Sequence, residues 1–324
     1  MVRDIALYVG AGLAVGAAAL PANAQTWPAK AIRMIVPYPA GGTSDILARL
    51  VGQKLTEAWG QQIVVDSRPG ANGTIGTDMV VRSPPDGATF LLTDVGNLMI
   101  TPITLPKLPF DPVRDLAPIG TVSYSPHLLA VHPSVPVKNL SELIALAKKN
   151  PGKLNFPTGL GGAPHLAGLA VQSRSGVNWV YIPTKGGAQS LMTVATGEGD
   201  VLFLGMLQTL PQVKNGRVKV IAISSEKRDP ALPDTPTVAE TPGFDGFHTG
   251  SWQGILGPAK LPAEIITKFS SELRRVLALQ DVKDKLGSQG TVPLIMSPQD
   301  TAKFLVAERD RWAKVVKETG FKME

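Results

Sequence analysis

Short apolar runs alternate with amphipathic stretches along almost the whole chain. Ile32-Arg33-Met34-Ile35-Val36 predicts a strand. Over residues 44–59, Ile46, Leu47, Leu50, Val51 and Leu55 recur on one face at helical spacing. Ile63-Val64-Val65 predicts the next strand and 73–82 a second helix. After the turn Pro84-Pro85-Asp86-Gly87, Thr89-Phe90-Leu91-Leu92 predicts a third strand. This β-α-β punctuation predicts an α/β fold with a parallel sheet covered on both faces.

The rhythm resumes after a proline-rich stretch over 101–118. Strands are predicted at 119–131, 154–156, 177–182, 201–204 and 218–224, with helices at 140–150, 165–175 and 188–196 between them. Three more helices are predicted at 263–279, 281–288 and 298–319. The chain thus reads as two α/β units followed by helices, with no solenoid repeat and no low-complexity tract.

Residues 1–24 read as an export leader. A short, weakly basic start precedes the apolar stretch 5–20, and Pro21-Ala22-Asn23-Ala24 supplies the small-x-small pattern of a cleavage site. The stretch is too short for an ordinary membrane span, so the expectation is cleavage after Ala24 and a periplasmic product, although Asp4 is atypical of such leaders. Cleavage leaves 324 − 24 = 300 residues, more than one compact core usually holds.

Composition narrows the chemistry. The absence of cysteine excludes disulfides, thiolate metal sites and a thiol nucleophile. A net charge of +6 favours anionic partners, but basic residues are scattered and aromatics make up only 6%, which argues against nucleic acid. The four histidines show no metal-ligand spacing, so neither metal nor cofactor is expected. Ser224-Ser225-Glu226-Lys227 fits Ser-x-x-Lys but lacks the companion motifs of an acylating enzyme. His127 could face a cleft, Trp252 reads as an interlobe packing residue, and Trp312 as core.

Two junctions carry candidate chemistry. In "PYPAGGTSDILARL", residues 37–50, a strand gives way through Gly41 and Gly42 to a helix opened by Thr43, Ser44 and Asp45. Helix starts leave backbone N–H groups unpaired and favour anions, and glycines let a ligand approach the main chain. The stretch reads equally as an anion cradle or as a structural cap, and Asp45 would repel a bare anion. It is neither a Walker loop nor a dinucleotide fingerprint. "NFPTGLGGAPHLAG" repeats the device through Gly159, Gly161 and Gly162. Two such starts, one in each unit, predict a ligand clasped between domains.

Several segments resemble the TctC, or Bug, family of periplasmic solute-binding receptors of tripartite tricarboxylate transporters. They are "IRMIVPYPAGGTSDILARL", "VVDSRPGANGTIGTDMVVRSPPDGATFLL", "KLPFDPVRDLAPI", "NPGKLNF", "ALPDTPTVAETPGF" and "RWAKVVKETG". The resemblance implies a type II periplasmic binding protein, two Rossmann-like lobes joined by a two-strand hinge. It places 25–121 and 226–324 in lobe 1 and 122–225 in lobe 2, with crossings near 119–124 and 223–227. It implies a small carboxylate ligand, a membrane permease partner, a monomer and no catalysis. By position, Tyr38, Ala40, Gly41, Gly42, Thr43 and Asp45 would grip from lobe 1, and Thr158, Gly161, Gly162, Ala163 and His165 from lobe 2.

The chain also departs from that family. Gly162, Ala163 and Pro164 stand where hydroxyl residues are usual, Thr184 replaces a tyrosine, and Leu204 a frequent acidic residue. These changes predict a roomier, less polar second wall and a ligand with an apolar body, such as an aromatic or medium-chain acid, rather than citrate. The alternatives are a ligand sensor acting on a membrane signalling partner and, less favoured, an exported hydrolase using the same cleft.

Overall fold

The computed structural model describes residues 27–105 and 107–322; the expected leader lies outside them. The first unit runs β1 (Ile32–Val36), α1 (Thr43–Trp59), β2 (Ile63–Ser67), α2 (Thr74–Val81) and β3 (Thr89–Asp94). A π-helical turn at Gly96–Ile100 and the short helices α3 (Thr101–Thr104) and α4 (Pro112–Asp115) lead into β4 (Leu116–Val131). The second unit contains α5 (Leu140–Lys149), β5 (Asn155–Thr158), α6 (Ala163–Ser175), β6 (Val180–Pro183), α7 (Gly187–Ala195), β7 (Val201–Gly205), α8 (Met206–Lys214) and β8 (Lys219–Ile223). The chain ends with β9 (Gly250–Pro258), α9 (Ala263–Ala278), α10 (Gln280–Gly287), β10 (Val292–Pro293) and α11 (Pro298–Thr319).

β1 pairs in parallel with β2 and β3, as alternating strands and helices require. The sheet is nevertheless mixed, which corrects the all-parallel expectation: β9 inserts antiparallel between β3 and β4, and β10 pairs antiparallel with β4. β9 was hidden because "GSWQGILGP" carries three glycines and reads as loop. Its glycines fit a crowded interior; a methyl on Gly257 would press Leu261 at 3.0 Å and Phe90 at 3.3 Å.

β4 belongs to both lobes. Its first part pairs with β9 from Leu116 to Pro126, and from His127 to Val131 it lies between β7 and β8. Sixteen extended residues span about 50 Å, enough to thread two domains. Lobe 1 is closed by a core of α1, β1, β3 and α9 side chains including Leu47, Leu55, Phe90 and Phe269; Trp27 and Trp59 pack edge-on against it. Leu129, Phe156, Trp179 and Phe203 centre the core of lobe 2.

Val238, Phe244 and Phe247 join that second core, so 225–249 packs with lobe 2 and the chain re-enters the first sheet at Gly250. The crossing strands are tied by His127. Its backbone N–H donates to Ser224 Oγ at 2.9 Å, and its ring nitrogens lie 3.0 Å from Thr249 Oγ1 and 2.8 Å from Ser251 Oγ. The Ser224 hydroxyl donates to the Thr249 carbonyl at 2.6 Å. His127 is a buried hinge tie rather than a cleft residue.

Burial, with Arg311 nearby, pushes the His127 imidazole down to about 3 from an ordinary 6.5. Between those values the unfolded chain binds a proton that the fold refuses, so this contribution to stability is present above about pH 6.5 and is lost as pH falls toward 3. Urea unfolding of the wild type is expected to weaken steadily below pH 6.5. His127→Gln, which cannot charge, should be less stable at pH 7 but show a shallower slope; parallel slopes would refute the assignment.

Candidate functional site

A cavity of about 650 Å³ lies between the lobes, walled by the loops that follow β1, β2, β3, β5, β6 and β7. Carboxyl ends of strands in open α/β sheets are where ligands collect. Five helices begin at this cavity: α1, α2, α6, α7 and α8. Their N-caps are Gly42, Gly73, Gly162, Gly186 and Gly205, and none carries a side-chain cap hydrogen bond. Elsewhere Asp111 caps α4, Asn139 caps α5 and Ser297 caps α11 through their side chains, while α3, α9 and α10 begin without such a cap. These helix ends turn their positive dipole ends, and the first-turn amides that no cap side chain takes, toward whatever fills the cavity; at α8 the Met206 N–H is already taken by Ser125 Oγ at 3.0 Å.

The two predicted loops share one backbone form. Gly41 has φ 84°, followed by Gly42 at φ −77° and ψ 168°; Gly161 has φ 76°, followed by Gly162 at φ −81° and ψ 164°. The left-handed first position explains the glycine in each pair. Three residues after each N-cap, a side chain reaches back to that glycine. Asp45 Oδ2 accepts from the Gly41 N–H at 3.0 Å, and His165 Nδ1 accepts from the Gly161 N–H at 3.1 Å. Asp45 is held in turn by Arg49, 3.1 Å from Nε to Oδ2.

These bonds redistribute the expected roles. Tyr38, Gly42, Thr43, Thr158, Gly161, Gly162, Ala163 and Leu204 line the cavity. Ala40, Gly41, Asp45 and His165 do not: Ala40 and Gly41 lie on the outer side of their loop, while Asp45 and His165 are buried behind it. The amides of Gly41 and Gly161 are already taken, so neither is free for a ligand. His165 packs edge-on between Tyr181 and Phe321, and burial lowers its pKa from 6.5 to about 4, which keeps Nδ1 an acceptor at neutral pH.

Other walls went unread in the sequence. The turn Pro69 to Gly73, the stretch Lys185 to Ser190, Gly205, Ser251 and Gln253 all reach the cavity. "RPGANG" and "KGG" carried the glycine signal but lacked the long amphipathic run that marked the other two junctions. Among the described lining residues Lys185 is the only basic side chain and Asp94 the only acidic one. Pro37, Pro39, Leu160, Phe203 and Leu204 supply apolar wall. No histidine lines it among the described residues; of its hydroxyls, that of Ser251 is held 2.8 Å from the buried His127 Nε2 and that of Tyr38 donates to Asp94.

The lobes meet across this space. A methyl on Gly186 of lobe 2 would sit 3.6 Å from Pro39 of lobe 1, and one on Gly96 of lobe 1 would sit 3.6 Å from Gly162 of lobe 2. Ala163 and Leu166 of α6 are buried in one cluster with Leu98, Trp252 and Trp312 of lobe 1. The two lobes are thus in contact on more than one side of the cavity.

Comparison with known proteins agrees with this geometry. The tripartite tricarboxylate transporter family receptor, TctC, matches residues 47–321. BugT of Bordetella pertussis is 33% identical over 326 aligned positions, covering 100% of this chain and 99% of its own. The solved structure of Rpa4515 of R. palustris with adipate superposes with a TM-score of 0.89 at 32% identity, covering 91% of this chain and 99% of that one. MatC from Rhodopseudomonas palustris with bound malate gives 0.84 at 28%, covering 90% and 100%. A two-lobed α/β receptor with one inter-lobe cavity and glycine-capped helix starts around it, this chain belongs to the TctC family of solute-binding receptors, which are not enzymes.

Proposed function

We propose that the protein captures a small organic carboxylate with an apolar body in the periplasm and presents it, lobes closed, to the membrane subunits of a tripartite transporter. The observation that carries this reading is the set of five uncapped helix starts around one cavity. Each such terminus favours an anion by about 0.3–1 kcal/mol, and more where water is excluded. Adipate and malate in related structures are acids of the expected kind. Leu160, Phe203 and Leu204 give the ligand body an apolar surface, where a tricarboxylate would leave charge unpaired. The cavity volume lies in the ordinary range for small-molecule sites. Closure joins surfaces of the two lobes, so the closed outline is available as a signal to the permease by population shift.

Native mass spectrometry of the purified protein should reveal a co-purifying acid. Calorimetry should then show binding of medium-chain or aromatic acids in preference to citrate; tight citrate binding with no affinity for the others would overturn the apolar-body reading.

The uncapped ends yield a second expectation. Gly42 has φ −77°, and a Cβ there would meet only the Pro39 carbonyl oxygen, at an ordinary 3.6 Å, so Gly42→Asp introduces a side-chain cap without backbone strain. Thermal stability should hold or rise by a few tenths of a kcal/mol, while acid binding weakens at least tenfold because the helix start is already occupied by a carboxylate. Asp45→Ala should do the reverse, costing about 1 kcal/mol of stability by freeing the Gly41 N–H and loosening the loop. Unchanged affinity in both variants would show that these termini do not hold the ligand.

A further inference from the structure

Asp94 is out of place in an anion-binding cavity. It ends β3, lines the cavity, and opens partly onto that space although the site lies deep in the molecule. Its Oδ1 is fully engaged, accepting from the Tyr38 hydroxyl at 2.6 Å and from the Asn97 N–H at 3.1 Å. Among the described residues no side chain donates to Oδ2, and no cation pairs with the carboxylate. Burial raises its pKa, while the Tyr38 hydroxyl and the amides of Asn97 and Gly96 oppose the rise. The nearby Gly96 touches lobe 2 at Gly162, so Asp94 stands next to one of the uncapped helix starts.

A bare dicarboxylate placed here would face a like charge in a confined space, which is unfavourable. A ligand with a hydroxyl or ammonium group would instead donate to this carboxylate. Buried acceptors built to meet a donor reject analogues without one far more strongly than an apolar wall rejects a lost methylene. Among the described lining residues there is no second acid to share this role; Lys185, at the exposed rim, is the other charged side chain there.

Resting on the carboxylate reading above, we propose that Asp94 is a specificity-determining residue, selecting organic acids that also carry a hydrogen-bond donor, as hydroxy or amino acids do, over their unsubstituted parents. The acid group lies at the glycine-capped helix starts and the donor meets Asp94 Oδ2. Tyr38 is the positioning residue, holding the carboxylate by Oδ1 and leaving the other oxygen toward the ligand.

Matched pairs test this directly by calorimetry on the full mature chain: hexanoate against 6-hydroxyhexanoate and 6-aminohexanoate, benzoate against 4-hydroxybenzoate, and succinate against malate. In the wild type at least one donor-bearing acid should bind tenfold or more tighter than its parent, equivalent to about 1.4 kcal/mol. The hydroxy and amino arms report whether a neutral or a cationic donor is preferred. Asp94→Asn should erase the preference and strengthen binding of the parent acids. Tyr38→Phe should retain the preference at lower overall affinity; if instead it reproduces the Asp94→Asn result, Asp94 serves only as an anchor for Tyr38 and the proposal fails. Equal binding within every pair overturns the proposal while leaving the carboxylate reading intact. If no acid of any pair binds, both fall. The wild-type comparison stands even where a variant does not fold.

Discussion

A helix cannot satisfy its own first amides, and in this protein five helices turn that deficit toward one space. α1, α2, α6, α7 and α8 all start there with glycine at the N-cap, whereas α4, α5 and α11 close their starts with Asp, Asn and Ser. A side-chain cap typically contributes about 1 kcal/mol, so leaving these ends bare makes the empty protein less stable than it could be. A ligand that supplies the missing acceptors returns that stability, and binding and folding are thereby linked. Such an arrangement can hold an anion without a cationic clamp, in keeping with the single basic side chain, Lys185, among the described lining residues.

Holding bare ends in position demands rigid supports behind them. Asp45 and His165 do this from equivalent places, one as a carboxylate and one as a neutral imidazole, each accepting the amide of the glycine four residues earlier. Similar backbone angles at 41–42 and 161–162 show that the chain solves the same geometric problem twice. On the far side of the lobe junction, Glu308 accepts from the indoles of Trp252 and Trp312 and pairs with Arg311, fixing α11 against β9 where α6 also docks. Closure therefore brings prepared surfaces together.

Much of this was legible in the residues. Helices α1, α9 and α11 follow from their apolar spacing, and both glycine-hydroxyl junctions pointed at the cavity. What the sequence hid has identifiable causes. Three glycines masked β9, and Pro211 inside α8 contradicted helix there; its missing N–H and ring are accommodated one turn and more into the helix. Asp45 and His165 looked like ligand contacts because their side chains are polar and near glycines, but the first helical turn also lets a side chain fold back on its own loop. Asp94 gave no signal, because an acid at the end of a strand is ordinary until its neighbours across the fold are known.

The shared strand has a consequence for how the chain is built. Both edges of the lobe 1 half of β4 are covered by segments from the C-terminal part of the chain: β9, whose first residue comes 250 positions into the chain, and β10 after it. Until those segments arrive, Leu116 to Pro126 is an apolar strand with bare hydrogen-bonding edges, the state most prone to pairing with another chain. The sheet of lobe 1 is thus complete only once the chain beyond Gly250 is in place, although its first strand is made first, and Ser251 and Gln253 join the cavity wall with that late strand.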